Sequence, residues 1–204
     1  MALVYTPKHQ AQLGRGTPVP GATRGSLDCG VRTVQVGIDK LTNGQLVPSV
    51  TEIRQRMGRP GPQPTNTTNA DQAVESYGAQ MARIDRRGLD YDKFTGPGFE
   101  PHILDAIKRG DGVQVAVDYG VFNRRMKRRG EKTGDPNFED GHSLYIIGFR
   151  RSKVAETFLY DSLDDKRRPG IPDGPRWVPL SPVLEAWEAF GHFLGIFRGG
   201  ERTL

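Results

Sequence analysis

The sequence predicts an α+β fold in which helices come first and a sheet follows. Three observations carry that expectation. Apolar residues recur at helical spacing through most of the first half of the chain. Beyond residue 110 they change to alternating valines or to continuous β-branched and aromatic runs. Capping and stop signals fall at the edges of these stretches, with glycine, proline and polar residues between them.

The elements follow in order. Residues 1–25 hold three prolines and four glycines with little periodicity, and read as an extended arm before a domain over 26–204. From Cys29, the residues Val31, Val34, Ile38 and Leu41 mark a helix, closed by Asn43-Gly44. "VPSVTEIRQRMG" is a second helix, with Ser49 and Glu52 at capping-box spacing and Gly58 as its stop. "RPGPQPTNTT" is a loop. Asn69 and Gln72 repeat the capping pattern for a helix over "ADQAVESY" that stops at Gly78. "AQMARID" then reads as a strand, and "FEPHILDAIKRG" as a helix ending at Gly110.

The second half begins with the strand "GVQVAVDYG", followed by a long polar loop over 120–140. "HSLYIIGF" is apolar on both faces, which marks a central strand. "ETFLYDS" and "GPRWVPL" are further strands. Ser181-Pro182 opens a helix in "SPVLEAWEAFG", and "HFLGIFR" is the last strand. No internal repeat and no second domain is visible.

Composition removes several classes of function. The 204 residues, 35% of them hydrophobic, suffice for one core. No stretch nears the roughly 18 apolar residues of a membrane span. The opening "MALVYTPKHQ" lacks a signal peptide's charged and apolar regions, so a cytoplasmic place is the first expectation. A single cysteine excludes an internal disulfide framework and a cysteine-rich zinc site. The net charge of +5 favours anionic surroundings without naming them.

Much of that charge sits in "RRMKRR": Arg124, Arg125, Lys127, Arg128 and Arg129. The run reads either as a solvated loop or as a contact for an anionic partner. No aromatic residue interrupts it, which argues against a nucleic-acid partner.

The lone cysteine is the most informative residue. A thiol at a helix start gains acidity from unpaired backbone N–H groups, and those amides can also hold an oxyanion. Its nucleophilic use needs a base, and the base needs an orienting group. His9 lies in the arm, His102 on a helix, and His192 at the last strand. His142 opens the central strand, and the next strand ends at Asp161. If these strands pair through a turn near 150–155, His142 and Asp161 come nearly opposite, about 5 Å apart. Asp140, Asp164 and Asp165 read as solvated loop charges, although any of them could substitute for Asp161. The bland alternative is a buried apolar cysteine with a core histidine.

These motifs resemble a known superfamily. "DCGVRTVQVGI" is similar to the Cys-Gly helix start of papain-like cysteine peptidases, especially the bacterial branch that includes double-glycine leader peptidases. "GHSLYIIGF" resembles that branch's Gly-His strand, "FLYDS" its following strand, and "ILDAIKRGDGVQVAVDYG" its helix and strand before them. The resemblance spans about 26–198. Bacterial cell-wall endopeptidases carry Asp-Cys-Ser-Gly; the serine is missing here, so that branch fits less well.

The resemblance implies a papain-like α+β fold, with N-terminal helices packed on an antiparallel sheet. It implies a Cys29–His142–Asp161 triad that cleaves a peptide or other amide bond, with no metal or organic cofactor. The family completes its oxyanion hole with a glutamine shortly before the cysteine, where this chain has Thr23 or Arg24. The backbone N–H of Cys29 is one oxyanion donor. Gln10 and Gln12 are the upstream candidates for the other. The chain also resembles hydrolase-like bacteriophage virion proteins in size. That likeness implies a peptide or peptidoglycan substrate, virion association, and other virion subunits as partners through the arm and basic run. Its alternative is a weak or inactive papain-like subunit with a structural role in a tail or capsid.

Overall fold

The computed structural model describes residues 28–42, 46–61, 63–85, 89–94, 99–151, 153–163 and 175–199. The expected arm over 1–25 lies outside the described residues. In chain order the elements are α1 (Cys29–Leu41), α2 (Val50–Arg56), α3 (Thr67–Asp85), β1 (Asp90–Phe94), α4 (Phe99–Lys108) and β2 (Gly112–Asp118). There follow α5 (Tyr119–Arg128), β3 (Gly141–Arg151), β4 (Ala155–Asp161), β5 (Arg176–Pro179), α6 (Leu180–Ala189) and β6 (Leu194–Arg198).

The strands form one sheet in the order β1-β6-β2-β3-β4-β5, antiparallel at every pairing. The α+β expectation holds. β2 and β3 are central, and β3 is buried from His142 to Gly148 because helices cover both faces. Tyr145 and Ile147 point into a core with α1, α2 and α3, built on Val31, Val34, Ile38, Ile53 and Tyr77. Leu144 and Ile146 point the other way, into a core with α4, α5 and α6. The period-2 alternation of one strand thus joins two cores. Among the described residues no helix is long and apolar enough to cross a membrane.

Three expectations need correction. "AQMARID" is not a strand: α3 runs unbroken through Gly78 to Asp85. Gly78 packs rather than stops, because a Cβ there would land on the Leu89 carbonyl. Its cap also lies a turn earlier than Asn69–Gln72. Asn66 Oδ1 accepts from Asn69 N at 3.0 Å, while Asn69 Oδ1 accepts from Asn66 N at 3.1 Å. Replacing Gly78 by Ala should therefore destabilise the protein in urea unfolding, although alanine is the better helix former by about 1 kcal/mol. A stabilised variant would show that the two backbones can part.

The second correction is that residues 120–140 are not all loop. Asp118 caps α5 by accepting from Val121 N at 2.9 Å. Tyr119, Phe122 and Met126 form its buried stripe. The intervening arginines hide that spacing in the sequence, so the basic run occupies the end of a helix. The third is β1, which the sequence did not reveal. In "DYDKF" only Tyr91 is buried, as befits a short edge strand.

Candidate active site

Cys29 is the first residue of α1 and is buried, with 8% exposure. The preceding Asp28 occupies the N-cap position, yet its side chain makes no capping hydrogen bond. Its carboxylate instead accepts from Arg54 Nε at 2.8 Å and from Nη2 at 2.5 Å, a buried ion pair. Arg54 Nη1 donates to the carbonyls of Arg59, Gly61 and Gln63 at 3.3, 2.6 and 3.1 Å. One guanidinium thus ties the start of α1 to α2 and to the loop after it. Diverting the Asp28 side chain leaves the first-turn amides of α1 without that cap, beside the sulfur.

His142 stands near the start of β3, and Asp161 ends β4. The direct cross-strand partner of Asp161 is Leu144, so His142 lies diagonally, two residues along the same face. A bulge between Ile146 and Gly148 shifts the register of this pair of strands. The His142 Nε2 to Asp161 Oδ1 distance is 2.8 Å, and both side chains are fully buried. Asp161 Oδ1 also accepts from Leu163 N at 2.9 Å, and Oδ2 accepts from Tyr119 Oη at 2.5 Å. The imidazole meets Tyr119 and Phe138 edge-on, with centroids 4.8 and 5.9 Å away.

The second imidazole nitrogen, Nδ1, makes no hydrogen bond of ordinary geometry. The Cys29 thiol nevertheless lies close enough to the ring for each group to favour the charged form of the other.

The electrostatics favour one charge distribution. Burial pushes the Cys29 thiol up, but His142 and the backbone N–H groups of Ser143 and Gly30 outweigh it, so its pKa is lowered. Burial pushes His142 down, but the charge and hydrogen bond of Asp161, then those of Cys29, raise it to about 10. Burial raises Asp161, yet His142, Tyr119 and Leu163 N lower it overall. All three shifts favour a thiolate–imidazolium–carboxylate row.

The other expected residues are placed elsewhere. His102 is exposed on α4 and stacks on Phe94 at 5.5 Å. His192, with φ of 63°, closes α6 through its N–H to the Trp187 carbonyl and lies edge-on to Trp187. The last strand therefore begins at Leu194 and not at His192. Asp140 is exposed. His9, Gln10, Gln12, Thr23, Arg24, Asp164 and Asp165 lie outside the described residues. Among the described residues no cluster of His, Cys, Asp and Glu could hold a metal ion.

The basic run divides. Arg125 pairs with Glu185 at 2.5 Å and Arg129 donates to Ser181 Oγ at 2.8 Å, both on α6. Arg124 and Lys127 help line a cleft of about 580 Å³, together with Lys132, Glu131 and Glu139. Arg128 is exposed.

Sequence reasoning missed Tyr119 and the aromatic surface beside the site. The only trace of Tyr119 is its place in the stripe with Phe122 and Met126. Phe190 and Phe193 are large apolar side chains left exposed, and Phe190 occupies the space a Cβ would need at Gly141, next to His142.

This arrangement is the papain-like α+β fold, with the cysteine at the start of the first described helix and the histidine and aspartate on adjacent strands. No protein-family model matches the chain, and no curated protein matches it in sequence. A solved structure described as a C39-like peptidase from Bacillus anthracis aligns over 88% of this chain and 91% of that one. The TM-score is 0.53 and the identity 12%. That superposition shows a shared fold alone, and the chemistry rests on the residues.

Proposed function

We propose that the protein is a papain-like cysteine hydrolase that cleaves peptide bonds through Cys29, His142 and Asp161. The observation that carries this reading is the fully buried 2.8 Å contact of His142 with Asp161, beside a thiol at a helix N-terminus. In the resting state the thiol proton resides on His142, whose charge Asp161 balances. The Cys29 sulfur attacks the substrate carbonyl carbon, and the oxyanion is held by the Cys29 backbone N–H at the positive end of α1. His142 returns its proton to the departing amine, leaving a thioester. A water that gives its proton to His142 then hydrolyses the thioester and frees Cys29. Phe190 and Phe193 would offer substrate an apolar surface beside His142.

Cell-wall peptides and virion proteins both fall within the substrate class. The competing reading is a catalytically weak structural subunit, and one observation favours it. Thr23 or Arg24 stands where the family places its oxyanion glutamine, and loss of one such donor costs about 100-fold or more in rate.

A peptide-library digest read by mass spectrometry, run beside a thiol-reactive probe, separates the readings. The hydrolase reading expects cleavage and labelling by the intact protein, both abolished in Cys29→Ala. Labelling without cleavage favours the weak subunit. Cleavage that survives Cys29→Ala, or a Cys29 that never labels, overturns the proposal.

A further inference from the structure

Tyr119 touches the site at three points. Its hydroxyl donates to Asp161 Oδ2 at 2.5 Å, across 42 residues of sequence. Its ring lies edge-on to His142, with centroids 4.8 Å apart. Its backbone N–H donates at 3.2 Å to the carbonyl of Asp140, two residues before His142. The side chain is fully buried and starts α5, whose cap Asp118 fixes the turn.

We propose that Tyr119 is a positioning residue for the Cys29–His142–Asp161 site, holding Asp161 ionised and aimed at His142. This rests on the cysteine-hydrolase reading above. Two contacts already occupy Asp161 Oδ1, namely His142 Nε2 and Leu163 N. Without the Tyr119 hydroxyl, Oδ2 would be a buried carboxylate oxygen deprived of its donor, which favours protonation. A protonated Asp161 would no longer balance an imidazolium, and the thiol would keep its proton. The ionisable groups against Asp161 are His142 from β3, with Cys29 of α1 beyond it, and Tyr119 from α5. From α6 the same core receives Val183, Ala186 and Trp187, none of them charged.

A buried tyrosine that merely satisfies its own hydroxyl would affect stability and nothing else. The test is therefore a pH profile. In Tyr119→Phe the ring packing is kept and the donor is lost. The acid limb of Cys29 alkylation by iodoacetamide should move up by about one pH unit, the worth of a hydrogen bond to a charged group. In an Asp161→Asn background the same substitution should leave the limb where it is. Tyr119→3-fluorotyrosine, incorporated at that site alone, is a stronger donor and should move the limb down. That variant decides the matter if Tyr119→Phe does not fold. A lowered melting temperature with an unmoved limb in Tyr119→Phe, or an unmoved limb in the fluorinated protein, overturns the proposal. An intact protein whose alkylation follows an ordinary thiol, with a midpoint near 8.5, overturns the hydrolase reading itself.

Discussion

Iodoacetamide should alkylate Cys29 at substantial rate well below the pH at which an ordinary thiol reacts, and His142→Ala should slow it. The sign follows from the shifts. The thiol is lowered and His142 is raised to about 10, so the ion pair exists between the two. An ordinary thiol, with a pKa of about 8.5, is under about 1% thiolate at pH 6. A thiolate favoured by its surroundings is also a weaker nucleophile, with a Brønsted slope of about 0.4–0.5, so part of the gain is lost. The net effect of His142→Ala at pH 6 should be roughly tenfold or more in labelling rate. Peptide cleavage should fall much further, by about 10³ or more, because the leaving amine then receives no proton from the site. Cleavage should also decline above about pH 10 as the imidazolium is lost. Labelling that follows an ordinary thiol in both proteins would exclude the ion pair.

Arg54→Met should be the most damaging substitution away from the reacting atoms. It strands the Asp28 carboxylate in a buried place and releases the carbonyls of Arg59, Gly61 and Gln63. Breaking a buried ion pair from one side costs about 3–5 kcal/mol. At about 2–4 °C per kcal/mol for a domain of this size, the melting temperature should fall by roughly 10 °C. Adding Asp28→Asn should restore part of the loss, since no buried charge then lacks its partner. Asp28 directly precedes Cys29, so alkylation of the folded Arg54→Met protein should also lose its low-pH advantage. A melting temperature within about 2 °C of the original would show that the pair contributes little.

Much of this organisation can be read along the chain. Val31, Val34, Ile38 and Leu41 reveal α1 because one helix buries one stripe, a local pattern. The apolar run after His142 reveals a strand covered on both sides, again without knowledge of its neighbours. Gly78 shows where such reading fails. A helix interior and a helix stop offer the same glycine, and only the approach of the Leu89 carbonyl distinguishes them. α5 fails for another reason, since four basic side chains dilute a stripe of only Tyr119, Phe122 and Met126.

By itself the sequence determined the α+β order, the position of Cys29 at a helix start, and the order Cys29, His142, Asp161. Each follows from periodicity, capping residues and residue chemistry within short windows. The tertiary structure decided the diagonal register that sets His142 against Asp161, in a strand pair whose bulge falls between Ile146 and Gly148. It also decided that Asp28 turns to Arg54 rather than capping α1, and that Tyr119 reaches Asp161 across 42 residues. These contacts form between side chains far apart in the chain, where burial leaves a charged or polar group only the partners that packing brings to it.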